Sequence, residues 1–138
     1  MSSKDSKDKK IVGLLKEDGR MAFVEVGRRI GLSEAAVRRR VQNMIRNGMI
    51  RRFTIDVASG ASAVSLISVS PSVSTPEVAE KLKRLKGVEV VYEITGEYDV
   101  TVVIGAANIA EINRCIDDIR KVEGVANTNT VIVLRTVR

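Results

Sequence analysis

One repeat constrains what this chain can fold into more than any other feature. When the second half is slid along itself by 37 residues, without a gap, Val64 falls over Thr101, Val78 over Cys115 and Leu82 over Ile119. Leu85 then falls over Val122, and Gly87-Val88 over Gly124-Val125. Each copy reads as strand, helix, glycine, strand: "AVSLISVS", "TPEVAEKLKRLKG" and "VEVVYEIT", then "YDVTVVIG", "NIAEINRCIDDIRKVEG" and "VANTNTVIVL". Short β-branched runs alternate with stretches of helical period, so the pattern is built of βαβ units.

Two βαβ units in tandem give a βαββαβ order, the ferredoxin-like arrangement of an antiparallel sheet with both helices on one face. The predicted strands are rich in Val and Ile on both sides. The face away from the helices therefore needs cover, and a second copy of the chain is the simplest source, which predicts a dimer. "GEYD", Gly96 to Asp99, falls at the joint between the two copies, and "NTNT", residues 127–130, opens the last strand. Read as residues alone, both clusters are turn chemistry.

The first half has a different pattern. "DSKDKKIVGLLKEDG" sets Ile11, Leu14 and Leu15 at helical spacing and stops at Gly19, and "AFVEVGRRIG" sets Phe23, Val26 and Ile30 likewise and stops at Gly31. "LSEAAVRRRVQNMIRNG" opens with Ser33 as N-cap and Glu34 in the first turn, and closes at Gly48. Two helices separated by a few residues around a glycine read as a helix-turn-helix, whose second helix lies in the DNA major groove. At 100° per residue, Val37, Val41, Met44 and Ile45 form the expected buried stripe. Ala35, Arg39, Gln42 and Arg46 lie opposite it, flanked by Ala36, Arg38 and Asn43, while Arg40 lies beside the stripe, placed to brace the fold or a nearby phosphate rather than read a base. Arg and Gln pair bidentately with guanine and adenine edges, so Arg39 and Gln42 are candidates for direct readout, with Arg38 between base and phosphate. A solvated charged face is the plainer alternative.

Charge separates the halves and favours the first reading. Residues 1–52 carry 14 Lys/Arg against 6 Asp/Glu, a net of +8, whereas residues 53–138 carry 9 against 11, a net of −2. A polyanion-binding module joined to a sensing or assembly module has that asymmetry. "MIRRFTIDV" reads as a connecting strand and "ASGASA" as a linker. The predicted domains are 1–57, a helix-turn-helix with its hinge strand; 58–62, a linker; and 63–138, the ferredoxin-like module.

Several classes fit poorly. The chain has no His and a single Cys115, so the commonest general base and metal ligand is missing and no intrachain disulfide can form. Cys115 sits at helical spacing from Ile112 and Ile119, a packing position, and the adjacent Asp117 and Asp118 point apart. No catalytic, metal or cofactor site is predicted, and the reading is not an enzyme. No apolar run approaches the roughly 18 residues of a membrane span, and the opening residues lack a signal's apolar core. A soluble, cytoplasmic protein is expected.

Taken together, "DSKDKKIVGLLKEDGR", "IGLSEAAVRRRVQNMIRNGMI", the hinge "RRFTIDV", the βαββαβ order and "GEYDV" after a valine-rich strand resemble the Lrp/AsnC, or feast/famine, transcriptional regulators. The resemblance covers essentially the whole chain. It implies an α+β protein: an N-terminal winged-type helix-turn-helix for double-stranded DNA, touched by Ser33, Ala35, Arg38, Arg39, Gln42, Asn43 and Arg46, then a C-terminal ferredoxin-like domain that oligomerises and binds an amino-acid effector. It implies homodimers that associate further to octamers, with effector contacts at Gly96, Glu97, Tyr98 and Asp99 and at Thr128 and Thr130 of a neighbouring subunit. The polar "NTNT" leans toward an effector such as glutamine. Two departures stand out: "RMAF" where a Ser or Pro cap is usual for helix two, and Val26-Gly27 where Leu-Ala is usual, both of which predict a marginal helix. Siroheme decarboxylases share the two-module architecture but rely on histidines; an RNA-binding βαββαβ module would need stacking aromatics, for which only Tyr92 and Tyr98 are available; an architectural, DNA-compacting protein would differ only in its specificity ratio.

Overall fold

The computed structural model describes residues 3–58 and 60–137. Ser59, inside the expected linker, and Met1 and Arg138, the ends of the expected domains, lie outside the described residues. The chain forms two compact units that divide between Val57 and Ala58.

The first unit holds α1 (Ser3–Glu17), α2 (Phe23–Ile30) and α3 (Glu34–Arg46). Ile11, Val26, Val37, Val41 and Met44 are its buried core, with Leu14, Leu15, Phe23, Ile30 and Leu32 packed around them. Ile45, expected in the buried stripe, is instead 46% exposed, because it sits one residue past the end of the stripe's inward arc. Arg40 is the brace the periodicity predicts: its Nη1 donates to Asp8 Oδ1 at 2.9 Å, tying α3 to α1. Gly31, at φ 73°, ends α2 in the left-handed region.

Two expectations for this unit need correction. Helix two is capped by Ala22 in extended conformation, with no side-chain hydrogen bond, so the poor start is real. Gly27, however, is a requirement rather than a weakness: a Cβ there would fall on the carbonyl oxygen of Leu32, and only glycine lets the α2–α3 turn close this tightly. The hinge strand is also absent. Residues 51–58 form no strand, and among the described residues the unit contains three helices and no wing. The reason is pairing: a strand needs a neighbouring strand for its N–H and C=O groups, the described sheet does not include this segment, and Phe53, Ile55 and Val57 stand 52%, 79% and 67% exposed.

The second unit runs β1 (Ala61–Val69), α4 (Thr75–Lys83), β2 (Val88–Glu93), β3 (Val100–Ala106), α5 (Ile109–Lys121), β4 (Val125–Ile132). The sheet order is β2-β3-β1-β4, with every pair antiparallel, which is the ferredoxin-like order the repeat predicts. β1 starts at Ala61, so the last two residues of the expected linker belong to the sheet. Val78 and Leu82 of α4 and Ile112, Cys115 and Ile119 of α5 pack on Ala63, Ile67, Val100, Val102 and Ile104. The repeat partners Val78/Cys115 and Leu82/Ile119 thus occupy equivalent core positions. Ser74 and Asn108 cap the two helices, accepting from the N–H groups of Glu77 and Glu111. Across the strands Val64, Leu66 and Val103 turn to the opposite face and are only half-buried, with Tyr92 and Val131 more than half exposed. Among the described residues of this unit no helix packs on that face.

Candidate nucleic-acid interface and effector site

The surface of α3 follows from its cap and its period. Ser33 Oγ accepts from the N–H of Ala36 at 3.1 Å, which starts the helix at Glu34, and the burial of Val37, Val41 and Met44 then turns Ala35, Arg38, Arg39, Gln42, Asn43 and Arg46 outward, all exposed. Their surroundings differ. Arg38 Nη2 donates to Glu34 Oε1 at 2.6 Å, and its guanidinium lies 5.4 Å from the centre of the Phe23 ring, so it is held from below and from the side. Arg46 Nη2 donates to Asn43 Oδ1. Arg39 and Gln42 form no such contact among the described residues. On α2, Glu25 accepts from both Arg28 and Arg29, and these bonds hold its carboxyl down at about 2.

At one end of the sheet, residues 94–99 turn β2 into β3. Gly96, at φ 117° and with open space where a Cβ would be, needs glycine for its backbone alone. Glu97 is exposed. Asp99 is built into the fold: its N–H donates to the carbonyl of Ile67 at 3.0 Å, its carbonyl accepts from Ile94 N–H at 2.9 Å, and its Oδ2 accepts from Val69 N–H at 2.7 Å. Tyr98 Oη accepts from Asn129 Nδ2 at 3.3 Å. Beside the start of β4 is a cleft of about 190 Å3 lined by Arg120, Val125, Ala126, Asn127 and Thr128.

Two family descriptions match this chain: the AsnC-type helix-turn-helix domain over residues 5–45, and the Lrp/AsnC ligand binding domain over residues 62–138. The chain belongs to the Lrp/AsnC family. Among its relatives, the HTH-type transcriptional regulator LysM of Saccharolobus solfataricus is 42% identical over 96% of this chain and 94% of its own. The regulator of the same name from Sulfurisphaera tokodaii is 41% identical over 98% of both. The solved feast or famine regulatory protein from M. tuberculosis, complexed with L-methionine, superposes at a TM-score of 0.87 with 26% identity, over 97% of this chain and 94% of that one. The α+β class and the DNA-binding transcriptional regulator expected from the sequence are therefore the findings here.

Within this Lrp/AsnC chain the structure brings the α3 residues onto one surface, but it does not join all the expected effector residues. Thr128 and Thr130 pair in register with Ile67 and Ser65, on the face covered by the helices. Thr130 Oγ1 lies 2.9 Å from Oγ of the buried Ser65, and Thr128 Oγ1 accepts from Arg120 Nε at 3.4 Å. The residues of "NTNT" on the opposite face are Asn127 and Asn129, and it is Asn129 that meets Tyr98. Three residues escaped the sequence reading: Phe23 and Glu34, which position Arg38, and Arg120, the cation beside the cleft. Glu34 and Arg38 stand four apart on one helix, a spacing that signals such a pair. Arg120 reaches Thr128 only through the packing of α5 on β4, which no local pattern shows.

Proposed function

We propose that this regulator reads a defined DNA sequence through α3 and that a free amino acid, bound at the knuckle end of the second unit, sets its affinity for DNA. The observation that carries the reading is the composition of one helix face: a capped helix presenting Arg38, Arg39, Gln42, Asn43 and Arg46 in a helix-turn-helix domain, in a chain whose other unit matches a ligand-binding domain. Arg39 and Gln42 are the readers of base edges. Arg38, braced by Glu34 and Phe23, serves one position in the groove, and Ser33 and Ala35 sit where the helix start approaches the backbone.

For the effector, an α-amino acid needs an acceptor for its ammonium and donors for its carboxylate. Asp99 supplies the first through the oxygen that Val69 leaves unused. The backbone around Gly96, with Glu97 and Tyr98 at its sides, and the Arg120–Thr128 pair supply the second; Thr130 stays with Ser65. The M. tuberculosis relative, complexed with L-methionine, supports an amino acid as the class, and the Asn-rich start of β4 favours one with a polar side chain such as glutamine.

The reading includes a homodimer, able to assemble to octamers and working in the cytoplasm. The half-buried Val64, Leu66 and Val103 of the sheet and the exposed Phe53, Ile55 and Val57 are apolar surfaces that a second copy covers. Two-fold symmetry then sets two α3 helices in successive major grooves. Selection from a random duplex library should enrich a pseudo-palindrome with half-sites about one helical turn, or a multiple of it, apart. A library that returns without enrichment, or light scattering that gives a monomer at micromolar concentration, would contradict it.

A further inference from the structure

The second unit contains a cavity that the knuckle does not use. It lies at the other end of the sheet, where β2 begins, β3 ends and α5 starts, and is a solvent-open cleft of about 250 Å3. At roughly 30 Å3 per water-sized group it holds about eight non-hydrogen atoms, the size of a small amino acid. Its floor is kept open by glycine: a Cβ on Gly87 would stand 3.6 Å from both Cys115 Sγ and the carbonyl oxygen of Gly105, and would fill the space a ligand would use.

The walls carry both signs of charge. Lys86 and Arg114 supply positive charge, Glu111 and Asp118 negative. Neither Lys86 nor Arg114 forms an ion pair among the described residues. Glu111 uses one oxygen, Oε2, to accept from Ala107 N–H at 3.0 Å, and Asp118 meets only Lys121, at 3.9 Å. Two cations without partners and two carboxylates with capacity left, around a space of this size, match a ligand that bears one ammonium and one carboxylate. A simple anion would face the carboxylates, and a simple cation would face Lys86 and Arg114.

We propose that this cavity is a second small-molecule site, for a zwitterion of amino-acid size, separate from the knuckle. Its place in the fold gives it a consequence. A Cβ on Gly60 would fall on the carbonyl oxygen of Ala107, so the residue that Glu111 holds packs directly on the backbone leading into β1. An occupant that engages Glu111 bears on the segment that follows the boundary at Val57.

Cys115, the one cysteine in the chain, lines the cavity and reports on it. Burial holds its thiol above the usual value, so alkylation by iodoacetamide is slow and an occupant slows it further. The full-length protein is alkylated in the presence of each free L-amino acid in turn. At least one should protect Cys115, by about tenfold when present at about ten times its Kd. The N-acetyl and amide derivatives of that amino acid, each lacking one charge, should not. Protection should vanish in the Lys86→Ala/Arg114→Ala double variant, both positions being exposed, and persist in Asp99→Asn. If no amino acid alters the rate, or if protection survives the double variant, the proposal is wrong; loss in Asp99→Asn alone would assign the binding to the knuckle instead.

Discussion

Arg38, Arg39 and Arg40 are consecutive in the sequence and have three different surroundings. Arg40 is bound to Asp8 in the fold, Arg38 is held by Glu34 and Phe23, and Arg39 faces outward. Helical period alone separates Arg40 from the other two, and the spacing of Glu34 and Arg38 signals their pair, but the Phe23 support of Arg38 depends on α2 packing under α3 and was not legible. Replacing Arg39 by Ala should weaken binding to the specific site by about 1–3 kcal/mol and relax base preference while leaving random DNA much less affected; equal loss on both, in anisotropy titrations at matched salt, would show that Arg39 contacts only phosphates. Asp99 carries two roles at once. Asp99→Ala would do more than remove an effector contact, because the Val69 N–H would lose its acceptor at about 1–3 kcal/mol. Asp99→Asn keeps an oxygen there and loses the charge. It should melt as the parent does and, placed in the Lys86→Ala/Arg114→Ala background that empties the second cavity, lose the amino-acid binding which that background retains in calorimetry; unchanged binding there would return Gly96 to Asp99 to a hairpin turn.

At the scale of elements, the repeat was the most legible feature because period and glycine placement are local and each copy confirms the other. Helix one, helix three and all four strands follow from it or from caps. What failed was the segment 51–57, whose alternation of Phe53, Ile55 and Val57 is a strand's pattern but which pairs with no strand among the described residues. The face that Thr128 and Thr130 take was not legible for a related reason: they read as one polar cluster, whereas β register with Ile67 and Ser65 sets them on the helix-covered side. Helix α2 gives a pH test. The bonds from Arg28 and Arg29 depress the Glu25 carboxyl from 4.5 to about 2, so its contribution to stability is fully present above 4.5 and is lost as pH falls through about 2. Thermal unfolding at low salt should therefore show a shallower loss across that window in Glu25→Gln than in the parent. Added salt should shrink the difference, since the pair is exposed; identical acid limbs would mean the pair contributes nothing.

For the whole molecule, the division of charge, +8 in residues 1–52 and −2 beyond, was legible before any fold and identifies which unit meets a polyanion. It also sets an expectation for salt: affinity for any duplex should fall steeply with ionic strength, because phosphate contacts release counterions. Among the described residues no helix is long and apolar enough to cross a membrane. The central claim is that a molecule bound in the second unit alters what the first unit does on DNA. Its most direct test is the Kd for the selected operator, at fixed salt, with and without each free amino acid at saturation. Coupling of about 1–3 kcal/mol predicts that at least one amino acid changes this Kd by roughly 5- to 150-fold, and that Asp99→Asn removes the change. An operator affinity that no amino acid moves would contradict the account.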